Sequence, residues 1–499
     1  MYKVPATLRN PLLASDVYKL GHMTQYKPDT TKVFSYLTSR SDRYMDTMVV
    51  FGLQFYLIQY LATPLEPWMA EEFIVYRNKI LGNDNPGVNE KIRALAALGY
   101  WPLSIKAVPE GTVMPTKNVI ATITNTHPDF YWCVGFIESL ILKVWYPINV
   151  ASTSYRYRRE LQARFLRTCS DQLGALPFYV HDFGYRGDAS EEGAGISGAA
   201  HLVNFIGSDT VPALPFVEDF YSPQEGTLIM ASVPASEHSV MCSYGRDGEI
   251  EAFREMLRQN PNSIVSIVSD TYSLWEVLTT FADELYDEIM ARPDGAKVVF
   301  RPDSGDPQKI ICGDPDAPEG SPEWLGCLAL LANKFGYTTN DDACMVLNQK
   351  VGLIYGDGMY FQRWTDILDE MQRQGWAASN LVVGIGGILR YHTRDTFGFT
   401  LKAVQIVNNG ETFDIMKDPI TDHGKKSHCG KVGLFGTFTG GVVTLDHLTD
   451  EQEASPDNLL LPVFLNGVVL KRYHFEEVRG LVNASLETPA VIVAEALVA

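Results

Sequence analysis

Phe178-Tyr179-Val180-His181-Asp182-Phe183-Gly184-Tyr185-Arg186-Gly187 decides how the fold is read. Its first three residues make the apolar run that a buried strand needs, and the remainder is polar and punctuated by glycine. Next comes Gly193-Ala194-Gly195-Ile196-Ser197-Gly198-Ala199-Ala200-His201-Leu202, which reads as a small-residue turn entering a helix. The same order of apolar run, Gly- or Asp-rich turn and helical stretch then recurs. Residues 203–206 precede Gly207-Ser208-Asp209, 228–233 precede Glu237-His238-Ser239, and 264–268 precede Ser269-Asp270. Residues 298–300 precede Arg301-Pro302-Asp303-Ser304-Gly305, 351–354 precede Tyr355-Gly356-Asp357-Gly358, and 381–383 precede Gly384-Ile385-Gly386-Gly387. Continuous apolar strands suit a sheet covered on both faces. Right-handed β-α crossovers repeated this often predict an α/β fold with a closed or nearly closed β/α barrel, ahead of an open doubly wound sheet. All the polar turns then share one rim, where chemistry gathers in parallel α/β folds.

The alternation stops near residue 399, and 401–407, 432–444 and 459–470 read as strands of another kind. The front of the chain mixes strand patterns (108–126) with helical periodicity (132–144 and 154–167). The expected organisation is therefore a barrel domain over 166–399 beside a discontinuous α+β domain built from 1–165 and 400–499. At 499 residues and 46% hydrophobic the chain can bury a large core. A net charge of −19 repels nucleic acid and anionic lipid, so neither is an expected partner. Seven scattered cysteines with no C-x-x-C pair argue against a disulfide framework or a structural zinc site. The first twenty residues lack the apolar core of a signal peptide, and 133–150 is broken by Glu138, Lys143 and Pro147, as in a buried helix. A cytoplasmic location is expected.

Phe183 can stack on a flat ring and Arg186 can bind a carbonyl or anion in the same plane. The alternative is a strand end whose Phe packs in the core and whose Arg pairs with Asp182. The rim carboxylates Asp209, Asp270, Asp303 and Asp357 suit sugar hydroxyls or Mg²⁺, against the alternative that each caps the next helix. Gly386 and Gly387 offer backbone N–H groups to a phosphate, against the alternative of a plain tight turn, with Arg394, Lys402, Lys417 and Lys425 as nearby cations and Thr400 as a hydroxyl, against the alternative of a solvated charged face. His238 is open between general base, metal ligand and phosphoryl-accepting nucleophile. His181 and His201 read as structural. Residues 12–19 read as a short helix start with Ser15 or Asp16 as its N-cap.

Taken in order, several motifs resemble the nicotinamide phosphoribosyltransferase family. They are Asp16-Val-Tyr18-Lys, Ser39-Arg40, Phe51-Gly52-Leu53-Gln54, the heptad 181–187, His201-Leu-Val-Asn-Phe-x-Gly-Ser-Asp209-Thr, Val233-Pro-Ala-Ser-Glu-His238-Ser, Val268-Ser-Asp270-Thr-Tyr, Arg301-Pro-Asp303-Ser-Gly, Gly356-Asp357-Gly358, Thr393-Arg394-Asp and Lys417-Asp-Pro. The resemblance implies transfer of 5-phosphoribosyl from phosphoribosyl pyrophosphate to nicotinamide, with Mg²⁺, with ATP as phosphoryl donor to His238, and in a homodimer with shared active sites. It implies that Phe183 and Tyr18 sandwich the pyridine, Tyr18 and Asp16 coming from the partner subunit, that Arg186 meets the amide oxygen and that Asp209 meets the amide nitrogen. It further implies that Asp303, Gly356 and Asp357 hold the ribose and that Arg40, Ser266, Arg301, Gly386, Gly387, Arg394, Thr400, Lys402, Lys417 and Lys425 serve the phosphates. His238, Asp270 and Asp303 are the implied catalytic group, with Asp270 and Asp303 on the metal. One departure is Ile385, where relatives often have serine. A nicotinate-specific relative is the nearest alternative. A sugar-phosphate aldolase or isomerase would want a buried lysine or glutamate at a strand end, and the turns offer none. A silent binding protein would be free to lose the rim aspartates and Arg186.

Overall fold

The computed structural model describes residues 6–422, 425–438 and 440–487. It divides into two compact units, one of Met1–Ser152, Phe216–Glu225 and His392–Ala499, the other of Thr153–Pro215 and Gly226–Tyr391. The boundaries fall at 152/153 and 391/392 where 165/166 and 399/400 were expected, and 216–225 belongs with the chain ends.

In the second unit five parallel strands lie in the order Val180–Asp182, Leu381–Ile385, Val351–Tyr355, Val298–Arg301, Val265–Val268. Val383 pairs with Val180, Leu353 with Leu381, and Val298 with both Val351 and Val265. All four residues of Val265–Val268 are buried, as a sheet covered on both faces requires. Isolated parallel bridges link Asp182 to Ser208, Gly207 to Ala231 and Ala235 to Ser266.

The expected strand at 203–206 does not form, the bridges falling at Gly207 and Ser208, and that at 228–233 shrinks to the single bridge at Ala231. Val203 N–H donates to Ala199 O, and the Asn204 and Phe205 N–H groups donate to His201 O, so the last turn of the preceding helix takes their donors. Pro234 has no N–H to extend a ladder, although its carbonyl accepts from Ser266 N–H at 2.9 Å. Phe178 likewise ends a 3-10 segment, Ser170–Phe178, and does not join the strand. The small residues after the heptad lie inside the helix Glu191–Leu202, capped by Ser190 Oγ accepting from Gly193 N–H, not in a turn before it. Their size permits close approach: a Cβ on Gly198 would meet Ala213 Cβ at 2.6 Å.

His201 on that helix is a core histidine. Its Nε2 lies 3.3 Å from Val180 O, its Nδ1 3.0 Å from Ser154 Oγ, and its ring stacks on Phe205 with centroids 5.2 Å apart. Burial pulls it down to about 4, with the Asp182 charge opposing. The unfolded chain then binds the extra proton first. Stability is full above about pH 6.5 and falls as pH drops toward about 4, by roughly 3 kcal/mol in all. Denaturant midpoints across this window should fall in the wild type, with a shallower slope in His201→Gln.

The first unit carries an antiparallel sheet in the order Glu411–Asp414, Thr400–Asn408, Thr30–Thr38, Val119–Asn125, Leu103–Ala107, Leu461–Leu465, Val468–Val469. Strands from both chain ends thus share one sheet, with Tyr36 opposite Lys402 and Thr38 opposite Thr400. The helical run Pro128–Thr168 is long and apolar enough to cross a membrane, yet 61% of its most apolar window is buried.

Candidate active site

The turns that follow the parallel strands line one cavity of about 530 Å³. Its wall contains Phe183, Arg186, Asp209, Arg301, Asp303, Gly356, Asp357, Gly386 and Gly387, nine of the positions singled out from sequence. Tyr185, Ala235, Ser236 and Glu237 complete it. Sequence reasoning passed over these four, although Tyr185 stands inside the heptad and Glu237 next to His238.

A buried ion pair sets the first side of the cavity. Asp182 takes two hydrogen bonds from the Arg390 guanidinium, at 2.5 and 2.8 Å, and the same guanidinium donates to Asp188 at 2.9 Å. Burial alone would raise the Asp182 carboxyl, but the Arg390 charge and hydrogen bonds, with His201 and the Gly184 N–H, together outweigh it and hold the group below its ordinary value. Asp182 also accepts from Gly184 N–H at 2.8 Å, which curls the chain just after Phe183. Asp182 is therefore committed to Arg390. Arg186, the partner considered for it, is exposed on the cavity wall with no carboxylate partner among the described residues.

Phe183 extends its strand, its N–H donating to Ile385 O at 2.9 Å. Its ring lies where a Cβ on Gly384 would overlap it and a Cβ on Gly356 would come within 3.4 Å. Glycine at both places leaves room for an aromatic face at the cavity edge. Ile385, the departure from the family pattern, is a buried strand residue paired with Asp182. Asp209 is exposed; its N–H donates to Asp182 O at 3.0 Å and its carboxylate accepts from Ser232 Oγ.

The second side carries Asp303, held through its N–H by Asp270, while neither Asp270 nor His238 lines the cavity. Asp270 Oδ2 accepts from Asp303 N–H at 2.9 Å and from Ser304 Oγ at 2.5 Å. Asp270 Oδ1 is buried with no hydrogen-bond partner. His238 Nε2 stands 3.8 Å from that atom and 3.9 Å from Asp303 Oδ2. Burial raises the Asp303 carboxyl; Arg301 opposes this, and Asp270 and Asp357 add to it. The Arg301 guanidinium donates to Ser236 O at 2.6 Å. Crowded carboxylates, one with an orphaned buried oxygen, form a hard-oxygen donor set that fits Mg²⁺ sharing its shell with phosphate.

The helix-capping alternative fails at these positions. The caps are Ser273, whose Oγ accepts from Glu276 N–H at 3.2 Å, and Asp306, whose carboxylate accepts from Gln308 and Lys309 N–H. Ser266 departs from expectation as well. It is 3% exposed within its strand, its Oγ has no partner, and it does not line the cavity.

Asp16, Tyr18, Arg40, Arg394, Thr400, Lys402, Lys417 and Lys425 belong to the first unit. Lys402 is half-buried, and burial lowers it, with Arg40, Lys417 and Lys19 pushing the same way against Glu138. The charges of Arg40 and Lys417 thus reach Lys402. Arg394 and Lys425 are paired with Asp395 and Asp422, and Thr400 is buried. Asp16 occupies the N-cap of Val17–Gly21 without a side-chain cap bond; its carboxylate accepts from Ser139 Oγ instead. Tyr18 is 60% exposed, with Lys19 Nζ 5.1 Å from its ring centroid.

The nicotinate phosphoribosyltransferase family model matches residues 178–456, and the model of the nicotinamide phosphoribosyltransferase N-terminal domain matches 10–70. Nicotinamide phosphoribosyltransferase from Acinetobacter baylyi is 38% identical, over 96% of this chain and 98% of its own. The same-named protein from Xanthomonas campestris is 37% identical, over 96% and 99%. The solved nicotinate-nucleotide pyrophosphorylase of Pyrococcus furiosus superposes with a TM-score of 0.57 at 14% identity, over 98% of this chain and 97% of its own, a likeness of fold. The chain belongs to the nicotinate phosphoribosyltransferase family and, within it, to the nicotinamide phosphoribosyltransferases, which are pentosyltransferases.

Proposed function

We propose that this enzyme transfers the 5-phosphoribosyl group of phosphoribosyl pyrophosphate to nicotinamide, giving nicotinamide mononucleotide and pyrophosphate in NAD salvage. The observation that carries the reading is the convergence of Phe183, Arg186 and Asp209 on one cavity with Arg301, Asp303 and Asp357. Phe183 offers a face to the pyridine, Arg186 donates to the amide oxygen, and Asp209 accepts from the amide nitrogen. The ring nitrogen needs no base, because its lone pair is free to attack ribose C1. As that N–C bond forms, the bond from C1 to the pyrophosphate oxygen breaks and its electrons leave with pyrophosphate. Asp303 and Asp357 favour the positive charge growing on the ribosyl centre, and Arg301 the negative charge growing on the leaving group. Asp270 and Asp303 would hold Mg²⁺, which supplies neutralising charge to the pyrophosphate. Arg40, Lys402 and Lys417, with Arg394, Thr400 and Lys425, form the phosphate-binding set carried by the first unit. Exposed Tyr18, with Asp16, is offered to a partner subunit's site in a homodimer.

His238 accepts the γ-phosphoryl of ATP on Nε2 in this reading, which puts negative charge beside Asp270 and Asp303 and tightens pyrophosphate binding through the metal. We read the parallel strands as a β/α barrel, a reading that the isolated bridges at Ser208, Ala231 and Ala235 support and that would explain the shared rim. The seven cysteines, all unpaired, suit a cytoplasmic setting. A nicotinate-specific enzyme is disfavoured by Asp209, whose charge repels a second carboxylate.

The test is incubation of purified protein with phosphoribosyl pyrophosphate, Mg²⁺ and nicotinamide, with and without ATP, followed by mass detection of mononucleotide. Nicotinamide mononucleotide is the expected product, and its absence in both conditions would refute the reading. His238→Ala should bring the ratio of rates with and without ATP to about one. Stimulation equal to wild type would retire the phosphoryl-accepting role.

A further inference from the structure

We infer that Asp414, Cys429 and His447 form a binding site for a thiophilic divalent cation of the Zn²⁺ class, outside the active-site cavity. A carboxylate oxygen, the thiol sulfur and a ring nitrogen of the three lie within 4.8 Å of one another. None of the three lines the cavity. Spacing in the sequence gives no sign of the site, because its ligands sit on three separate segments of the first unit.

Asp414 ends the edge strand Glu411–Asp414, Cys429 lies before the strand Gly433–Thr437, and His447 follows the strand Gly441–Leu445. Main-chain bonds bring the three together before any side-chain contact is counted. The Ile415 and Gly430 N–H groups both donate to Val404 O, each at 2.9 Å, so the residues just after Asp414 and Cys429 share one carbonyl. His447 N–H donates to Cys429 O at 3.0 Å. Gly430, at φ +72°, keeps the space open: a Cβ there would meet Asp414 Oδ2 at 2.6 Å. His447 itself holds φ 53°, a left-handed conformation uncommon outside glycine.

Outer partners orient the ligands. Asp414 Oδ1 accepts from Gln405 Nε2 at 2.9 Å, while Oδ2 lies 3.1 Å from His447 Nδ1. Asp446 Oδ2 accepts from Cys429 N–H at 3.3 Å and lies 3.1 Å from His428 Nδ1. Such partners set the direction of metal ligands. A surface His–Asp pair accounts for two of the three residues, but not for a thiol placed beside both. Thiolate and imidazole suit Zn²⁺ and its neighbours rather than Mg²⁺, and with one carboxylate they leave a fourth position for water. Ligand atoms bound at about 2.0–2.3 Å stand about 3–4 Å apart, so a closure of about 1 Å suffices. On binding, the thiol and the ring nitrogen facing Asp414 release their protons to solvent, and their lone pairs form the metal bonds. The His447 side chain is 60% exposed and that of Asp414 36%, which gives an ion its way in. The bound ion then fixes the base of the segment that carries Lys417 and Lys425.

The experiment strips full-length protein with a chelator and titrates it with Zn²⁺, and separately with Co²⁺, in saturating Mg²⁺ to occupy hard-oxygen sites. One equivalent of Zn²⁺ is expected to bind and to raise the thermal midpoint as its concentration rises. Co²⁺ should give a thiolate-to-cobalt charge-transfer band that Cys429→Ser abolishes. Cys429→Ser and His447→Asn, asparagine being tolerant of the left-handed backbone, should each weaken Zn²⁺ by at least about 100-fold, since losing an outer partner alone costs about 10- to 100-fold. Cys242→Ser, at the exposed cysteine, should change neither readout. If one ligand variant does not fold, the other decides. Zn²⁺ binding at wild-type strength in the variants, a band that survives Cys429→Ser, or no Zn²⁺ bound in the presence of Mg²⁺ overturns the site.

Discussion

Asp209→Asn is expected to erase most of the enzyme's preference for nicotinamide over nicotinate, lowering the ratio of their kcat/KM values by about 10²- to 10⁴-fold. The two pyridines differ only in whether the substituent presents an N–H donor or a second negative oxygen. Asp209 is fixed at the mouth by its N–H on Asp182 O at 3.0 Å and by Ser232 Oγ on its carboxylate. A carboxylate held there accepts from the amide and repels the acid. Asparagine keeps the shape, removes the repulsion, and can turn an N–H toward the acid. The effect should lie mostly in nicotinate gaining, with nicotinamide losing one charged hydrogen bond of about 1.5–3 kcal/mol. An unchanged ratio would mean that selectivity is set elsewhere.

Arg390→Met is expected to cost about 3–5 kcal/mol of stability, because it leaves the buried carboxylates of Asp182 and Asp188 without their counter-charge. The Asp182 side chain is fully inaccessible and that of Asp188 is 2% exposed, so water cannot replace the guanidinium. Function should fall with it. Gly184 packs directly on the guanidinium, and the loop carrying Phe183 and Arg186 is held by the same carboxylate. Denaturant titration checks the first effect. Stability within about 1 kcal/mol of wild type would show the pair to be replaceable by an apolar side chain, as buried ion pairs sometimes are.

The strand-turn rhythm was legible because strands buried on both faces must be apolar along their length. It placed Val265–Val268, Val298–Arg301, Val351–Tyr355 and Leu381–Ile385 to within two residues. It misplaced 203–206 and 228–233, since periodicity does not reveal that a helix end has taken, or that Pro234 lacks, the donors a ladder needs. The rim aspartates could be singled out because each follows an apolar run. The Asp182–Arg390 pair could not, because more than two hundred residues separate partners that only the strand order brings together. Ser266 shows the limit of transferring roles by motif: its place in the sequence is right for a ligand contact, yet its side chain is enclosed.

Equal concentrations of nicotinamide and nicotinate in one reaction with phosphoribosyl pyrophosphate, Mg²⁺ and ATP test the central claim most directly, with the two mononucleotides resolved by mass. A cavity edged by Phe183, Arg186 and Asp209 predicts that nicotinamide mononucleotide dominates the product. A mixture dominated by nicotinate mononucleotide would contradict it.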